Sequence, residues 1–271
     1  MVFVFDLDGT LLSSDETLSE RNREAVLKVL KDHTVIFASG RMLKSVLDFE
    51  KREFEKEFPT IAYNGAMIYI PGKGIVFHDA IDGDTASKVI GRLRDLSVHR
   101  QAYVNDELVA EEENDELKSY ADHSGVGYRI VKDLSKFVKE HGSTKILAIS
   151  DPERLDRVRE KLSKEFENLD IFKSFPTYLD FVKRGINKGK ALKILSKMIG
   201  FSLDDVVSFG DNDNDYELLK ISGLSIAVEN ATKKVKEVAD FVAPSNDDSG
   251  VALAVDLVLS GRLRRSGKTP D

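Results

Sequence analysis

A chain of 271 residues, 41% of them hydrophobic and 32% charged, is long enough to bury a large core and too apolar to stay disordered. Its formal net charge of −7 excludes the global basic field that gathers nucleic-acid backbones, yet a local lysine and metal can still hold one small phosphate ester. The lack of cysteine excludes disulfides, thiolate zinc sites and cysteine nucleophiles.

The apolar run Val2–Phe5 does not alternate, as expected of a strand buried on both faces of a parallel sheet. It ends in Asp6-Leu7-Asp8-Gly9-Thr10. Asp6 and Asp8 leave an extended backbone on the same side, and Gly9 lets the chain bend around a ligand. Taken alone this is either half of a site for Mg2+ or a capped turn. Ser19–Lys31 reads as an amphipathic helix, followed by strand Val35–Phe37 closing in Ser39-Gly40-Arg41. A helical stretch then carries Val46, Leu47, Phe49 and Phe54. Strand Ile61–Tyr63 ends in Asn64-Gly65, and Ile68–Ile70 with Ile75–Phe77 form a hairpin.

The pattern then changes. Helices are expected over 84–96, 115–123, 134–140 and 152–166, and strands over 101–104, 128–131, 145–149, 171–175 and 178–182. Beyond it, Asn187-Lys188-Gly189-Lys190 opens a helix that stops at Gly200. Strands 206–209, 224–228 and 241–243 follow, the first running into Gly210-Asp211-Asn212-Asp213-Asn214-Asp215. The reading is α/β: a Rossmann-like parallel-sheet core, 1–78 and 183–271, with an inserted α+β cap over 79–182. Open parallel sheets bind ligands outside the carboxyl ends of their strands, so Asp6, Asp8, Ser39, Asn64 and Asp211 are candidates for one shared site. Lys188, in the first turn of a helix, is either a surface lysine or the partner of an anion. The five histidines lack metal-ligand spacing, and the basic tail Arg262–Lys268 reads as a solvated terminus.

In this order, Asp6-x-Asp8-Gly9-Thr10, Ser39-Gly40-Arg41, Lys188-Gly189-Lys190 and Gly210–Asp215 resemble the motifs of the haloacid dehalogenase superfamily of phosphatases. With the large insertion, Tyr63–Ala66 and Asn246–Val251, the chain is similar to the Cof-type sugar-phosphatase branch. The resemblance implies that Asp6 is the nucleophile and Asp8 the general acid and base, and that Lys188 is catalytic. It places Mg2+ on Asp6, the Asp8 backbone carbonyl and Asp211, supported by Asp215. The phosphoryl group would lie against Ser39, Gly40, Arg41, Lys188, Asn214 and the backbone near Leu7. The chain departs from the family where a proline often precedes the third motif: Lys183-Arg184-Gly185 stands there, at the hinge into the core. Arg100, Tyr103, Arg129, Lys173 and Tyr178 are the cap residues that could meet a substrate. The expected ligand is a small phosphorylated metabolite, with no nucleic acid and no membrane. No segment is as long as a membrane span, and only Val2–Phe5 precede Asp6, which suggests the cytoplasm; a monomer is the default, since the sequence does not show oligomeric state. A phosphomutase or other phosphotransferase of the same superfamily, and a non-catalytic phosphate binder, are the alternatives.

Overall fold

The computed structural model describes residues 1–264, save the side chain of His123. Its packing divides into two units, one of Met1–Phe77 with the chain from Asn187 onward, the other of His78–Ile186. The first unit begins with β1 (Val2–Phe5), α1 (Glu20–Val29), β2 (Thr34–Ala38), α2 (Leu43–Phe54), β3 (Thr60–Ala62), β4 (Met67–Ile70) and β5 (Gly74–His78). The second contains α3 (Gly83–Asp95), β6 (His99–Val104), β7 (Glu107–Ala110), α4 (Asp115–Ser124), β8 (Tyr128–Ile130), α5 (Leu134–His141), β9 (Lys145–Ile149), α6 (Pro152–Glu165), β10 (Leu169–Phe175) and β11 (Tyr178–Lys183). The chain then completes the first unit with α7 (Lys188–Ile199), β12 (Val206–Gly210), α8 (Tyr216–Ile221), β13 (Leu224–Val228), α9 (Lys233–Val238), β14 (Phe241–Ala243) and α10 (Gly250–Leu259).

Eight strands of the first unit lie in the order β14-β13-β12-β1-β2-β3-β4-β5. They are parallel from β14 to β3, and β4 turns antiparallel to β3. The run without alternation is explained by position: β1 sits mid-sheet, Phe5 is in register with Phe209 on one side and Phe37 on the other, and the strand is buried throughout. Each such phenylalanine contributes roughly 2–3 kcal/mol by leaving water. Parallel pairing also puts the ends of β1, β2, β3 and β12 at one edge, which makes a shared site of residues far apart in sequence.

The second unit carries a six-stranded sheet, β10-β11-β9-β6-β7-β8, antiparallel except for β7 with β8. Here the strands alternate. Ala102, Val104, Ile146, Ala148, Leu179 and Phe181 join a core with Val89 and Leu93 of α3, Val138 of α5 and Leu155 of α6, while Gln101, Tyr103, Lys145 and Asp180 occupy the intervening positions. After β11, Arg184 donates to the Asn168 carbonyl (3.0 Å) and Gly185 to Asp170 Oδ2 (2.7 Å). Those bonds tie the turn to β10, so the packing unit reaches Ile186 rather than the expected Val182.

Three elements lie outside the sequence reading: β7, α9 and α10. β7 follows a turn in which Asn105 and Asp106 both have positive φ (51° and 62°), a two-residue hairpin connection. Among the described residues no helix is long and apolar enough to cross a membrane. Residues 265–268 of the basic tail lie outside the described residues.

Candidate active site

Past β1 the chain coils tightly over Leu7–Leu11, closed by Leu12 N donating to the Leu7 carbonyl at 2.9 Å. Gly9 permits this bend: its φ is +79°, and a Cβ there would fall 2.5 Å from Asp211 Oδ2. Three asparagines fix the coil from below. Asn22, buried in α1, donates to the Leu11 carbonyl (2.9 Å) and accepts from Ala252 N (3.0 Å). Asn246 donates to the Leu12 carbonyl (2.9 Å) and Asn230 to that of Gly9 (2.7 Å). Leu7 sends its side chain into the core, so only its backbone faces the site.

The ends of β2 and β3 interlock. Ser39 N donates to the Ile61 carbonyl (2.8 Å), Asn64 N to that of Ser39 (3.0 Å) and Tyr63 N to that of Arg41 (2.9 Å). Arg41 N in turn donates to Ser39 Oγ (3.1 Å). Asn214 joins this rim by donating to Asn64 Oδ1 (2.8 Å), and Gly40 lies against the Asn64 amide. Opposite, Asn187 caps α7 by accepting from Lys190 N (2.8 Å), worth about 1 kcal/mol. The start of α7 is pressed close to the Asn64-Gly65 turn, where a Cβ on Gly65 would lie 2.4 Å from the Asn187 carbonyl.

These elements converge on one buried cluster. Lys188 Nζ is 2.6 Å from Asp6 Oδ1 and 2.6 Å from Asp215 Oδ1, with no exposed surface. Asp215 Oδ2 accepts from the backbone N–H of Asp211 (3.0 Å) and Asn212 (3.2 Å), so that both its oxygens are engaged and it braces the β12 loop. Thr10 donates to Asp211 Oδ1 at 2.9 Å. Asp6, Asp211 and Asp215 each place an oxygen within 4.8 Å of the others.

Three carboxylates face one ammonium, and the imbalance governs their protons. Burial pushes the Asp6 carboxyl well above the usual range, Asp215 adds to the push, and Lys188 only partly opposes it. Asp211 is pushed up to about 6 by burial and by Asp215, eased by the Thr10 hydroxyl. Lys188 goes up as well: burial alone would depress it, but Asp215 and Asp6 outweigh the burial. Two like charges ~4 Å apart repel by roughly 4 kcal/mol at an effective dielectric of ~20, so an uncompensated cluster retains a proton. Hard oxygen donors with surplus negative charge fit a divalent cation of the Mg2+ kind, which would take the proton's place.

Asp8 is not part of this group. Its carboxylate turns outward to Arg41, whose Nε lies 3.0 and 2.9 Å from the two oxygens while Nη2 also donates to Oδ1. Arg41, expected at the phosphoryl group, therefore directs its guanidinium at Asp8 and at Glu16 (3.4 Å). Sequence reasoning missed Glu16 and Asn22. Asn22 had a signal, a polar residue on the buried stripe of an amphipathic helix; Glu16 had none, since it sits in an irregular turn. In the second unit, Arg100 pairs with Glu111, Lys173 with Asp156 (2.7 Å), and Arg129 stacks on Phe137 (5.2 Å). Tyr103 and Tyr178 both pack on Tyr120.

The whole chain resembles proteins already known. It is 27% identical to the 5-amino-6-(5-phospho-D-ribitylamino)uracil phosphatase YwtE of Bacillus subtilis, with 95% of this chain and 97% of that one covered. TM0651 from Thermotoga maritima superimposes with a TM-score of 0.91 at 45% identity, covering 98% of each chain. A haloacid dehalogenase-like hydrolase from Bacteroides thetaiotaomicron superimposes with a TM-score of 0.87 at 27% identity, covering 95% of this chain and 98% of that one. The family model of the haloacid dehalogenase-like hydrolases matches residues 3–255, and with that the chain belongs to this family.

Proposed function

We propose that this chain is a Mg2+-dependent phosphatase of small phosphorylated metabolites, sugar phosphates first among them, working through an aspartyl-phosphate on Asp6. The observation that carries the reading is the contrast between two neighbouring carboxylates. Asp6 is buried against Lys188, 2.6 Å away, beside Asp211 and Asp215, whereas Asp8 stands outside that cluster. That contrast supports Asp6 as the group that meets phosphorus and Asp8 as the group that moves a proton. The relative YwtE is named for a phosphate monoester substrate of the ribityl type, which supports a polyol or sugar phosphate here.

In the first step an Asp6 oxygen attacks phosphorus, the ester P–O bond breaks, and a proton carried by Asp8 passes to the leaving oxygen. In the second, water attacks phosphorus, its proton passes to Asp8, and the Asp6 carboxylate and inorganic phosphate are released. Ser39, Gly40, Asn214, Lys188 and the backbone near Leu7 would cradle the phosphoryl oxygens, while the Arg41 guanidinium is turned to Asp8. Lys188 keeps the Asp6 oxygens oriented and offsets incoming charge. Asp6, Asp211 and the Asp8 carbonyl, braced by Asp215, would hold Mg2+, which supplies neutralisation of the phosphate's negative charge.

The test is release of inorganic phosphate from a panel of phosphorylated metabolites, with Mg2+ and with chelator, the wild type beside Asp6→Asn. Metal-dependent release lost by more than about 10³-fold in Asp6→Asn is the expected result. Comparable release by the variant ends the nucleophile assignment. No release from any ester, followed by transfer of phosphate between two sugar phosphates, would mean a phosphomutase; no release and no transfer would mean a phosphate binder.

A further inference from the structure

Arg41 is held at three points, and all three serve to aim it. Its backbone is pinned at both ends: N–H donates to Ser39 Oγ (3.1 Å) and the carbonyl accepts from Tyr63 N (2.9 Å). Its guanidinium forks onto both oxygens of Asp8 and touches Glu16 at 3.4 Å. Glu16 in turn comes from a constrained turn. Its φ is +61°, Ser13 N bonds the Thr17 carbonyl (2.9 Å), and Ser14 is tied to Asp247 by its backbone N (2.7 Å) and hydroxyl (2.6 Å). Backbone that an L-residue rarely adopts persists only where surrounding contacts hold it. Asp8 needs such a brace. Its side chain is 47% exposed, and the fork from Arg41 supplies the contacts to its carboxylate, which would otherwise sweep several rotamers.

We infer that Arg41, braced by Glu16, is the positioning residue for Asp8, and that its main task is to aim that carboxylate rather than to bind the phosphoryl group. This rests on the acid–base role given to Asp8 above. Planar bidentate pairing fixes direction as well as distance, which a lysine's point charge does not. Misaiming a proton-transfer group costs up to about 10²-fold in rate. Glu16 reaches Asp8 only by way of the Arg41 guanidinium among the described residues, so its removal should act on Asp8 through Arg41.

The experiment is a double-mutant cycle on turnover of a phosphate monoester, using Arg41→Gln and Asp8→Asn singly and together, with inhibition by inorganic phosphate measured in each. Arg41→Gln is expected to lower kcat by about 10- to 10²-fold with inhibition by phosphate changed less than about threefold. In the Asp8→Asn background it should cost almost nothing more, because the group it aims is gone. Arg41→Lys should recover only part of the loss, and Glu16→Gln should lose a few-fold in kcat. Equal losses with and without Asp8, or a loss seen as weaker phosphate inhibition at unchanged kcat, would make Arg41 a phosphate ligand and overturn the inference. Asp8→Asn at the wild-type rate would remove the acid–base role itself, a failure separate from that of Arg41, because wild-type Asp8 is then idle whatever holds it.

Discussion

Each unit of the molecule sets one lysine against a buried aspartate, Lys188 buried itself and Lys145 only half-buried, and the two pairs are built to different ends. In the second unit, Lys145 stands 3.0 Å from Asp180, lies 4.7 Å over the Tyr103 ring and meets one carboxylate with one ammonium. Burial works against its charge, and Asp180 more than restores it. In the first unit, Lys188 meets Asp6 and Asp215 at 2.6 Å each, and Asp211 makes a third carboxylate in the group. The first pair is balanced and can be purely structural; the second carries surplus negative charge that folding alone gives no reason to keep. Imbalance at the ends of parallel strands marks a site, whereas burial of a charge by itself does not.

Removing each lysine tests that contrast most strongly. Lys188→Met is expected to cut phosphate release by about 10²–10³-fold, since it strips the ammonium shared by Asp6 and Asp215 from the site proposed to admit a phosphate dianion. Lys145→Met leaves Asp180 buried without its cation, and the expected effect is a loss of about 3 kcal/mol in denaturant unfolding. The double variant Lys145→Met, Asp180→Leu should recover most of that loss, because a balanced pair can be replaced by apolar packing. If the single Lys145 variant keeps full stability, the pair is not a buried structural one. If Lys188→Met keeps its turnover, the surplus charge in the first unit is not catalytic.

The same contrast explains what could be read from the sequence. Four polar residues of the first unit's site, Asp6, Ser39, Asn64 and Asp211, stand just past short apolar strands, so they could be located from the strands alone. Lys188 was legible in the first turn of a helix, and the structure adds that Asn187 caps it. The aim of Arg41 was not legible, because Ser-Gly-Arg after a strand says nothing of which anion a long side chain reaches. Glu16 was hidden for a related reason: its contact depends on a left-handed φ in a turn fastened from Asp247, more than two hundred residues on. In the second unit, β7 escaped because its four residues lie behind a two-residue turn of Asn105 and Asp106, neither of them glycine. The partners of Arg100, Lys173 and Arg129 are set by packing between neighbouring elements, and spacing along the chain carries no record of that.

A weaker effect, but one that tests the imbalance directly, is the dependence of stability on pH. Asp211 holds its proton up to about 6 in the folded protein against an ordinary value of 3.8, so between those values the native state binds more protons than the unfolded chain. The contribution of Asp211 to the stability of the metal-free protein then falls as pH rises through this window, by about 3 kcal/mol at most, and Asp6, raised in the same sense, adds to the fall. Mg2+ should abolish the fall by replacing the proton, and Asp211→Asn should flatten it without metal. Thermal unfolding in chelator from pH 4 to 8 reads this out. A pH profile in chelator that is the same for the wild type and Asp211→Asn would mean that the cluster holds its charges without cost and needs no cation.

The smallest expected effect belongs to Thr10. Its hydroxyl donates to Asp211 Oδ1 at 2.9 Å and opposes the upward push of burial on that carboxyl. Thr10→Val keeps the buried shape and removes the donor, so Asp211 should hold its proton to a higher pH and compete less well for metal. A neutral-to-ion hydrogen bond of this kind contributes about 1.5–3 kcal/mol at its strongest, but metal and the other carboxylates absorb part of the loss. The expected outcome is a several-fold rise in the Mg2+ concentration that half-saturates phosphate release, largest near pH 6 and fading toward pH 8 as Asp211 ionises in both proteins. A shift of equal size at every pH would assign Thr10 to packing of the coil after β1, where Gly9 and Asn230 already hold the backbone, and not to the charge on Asp211.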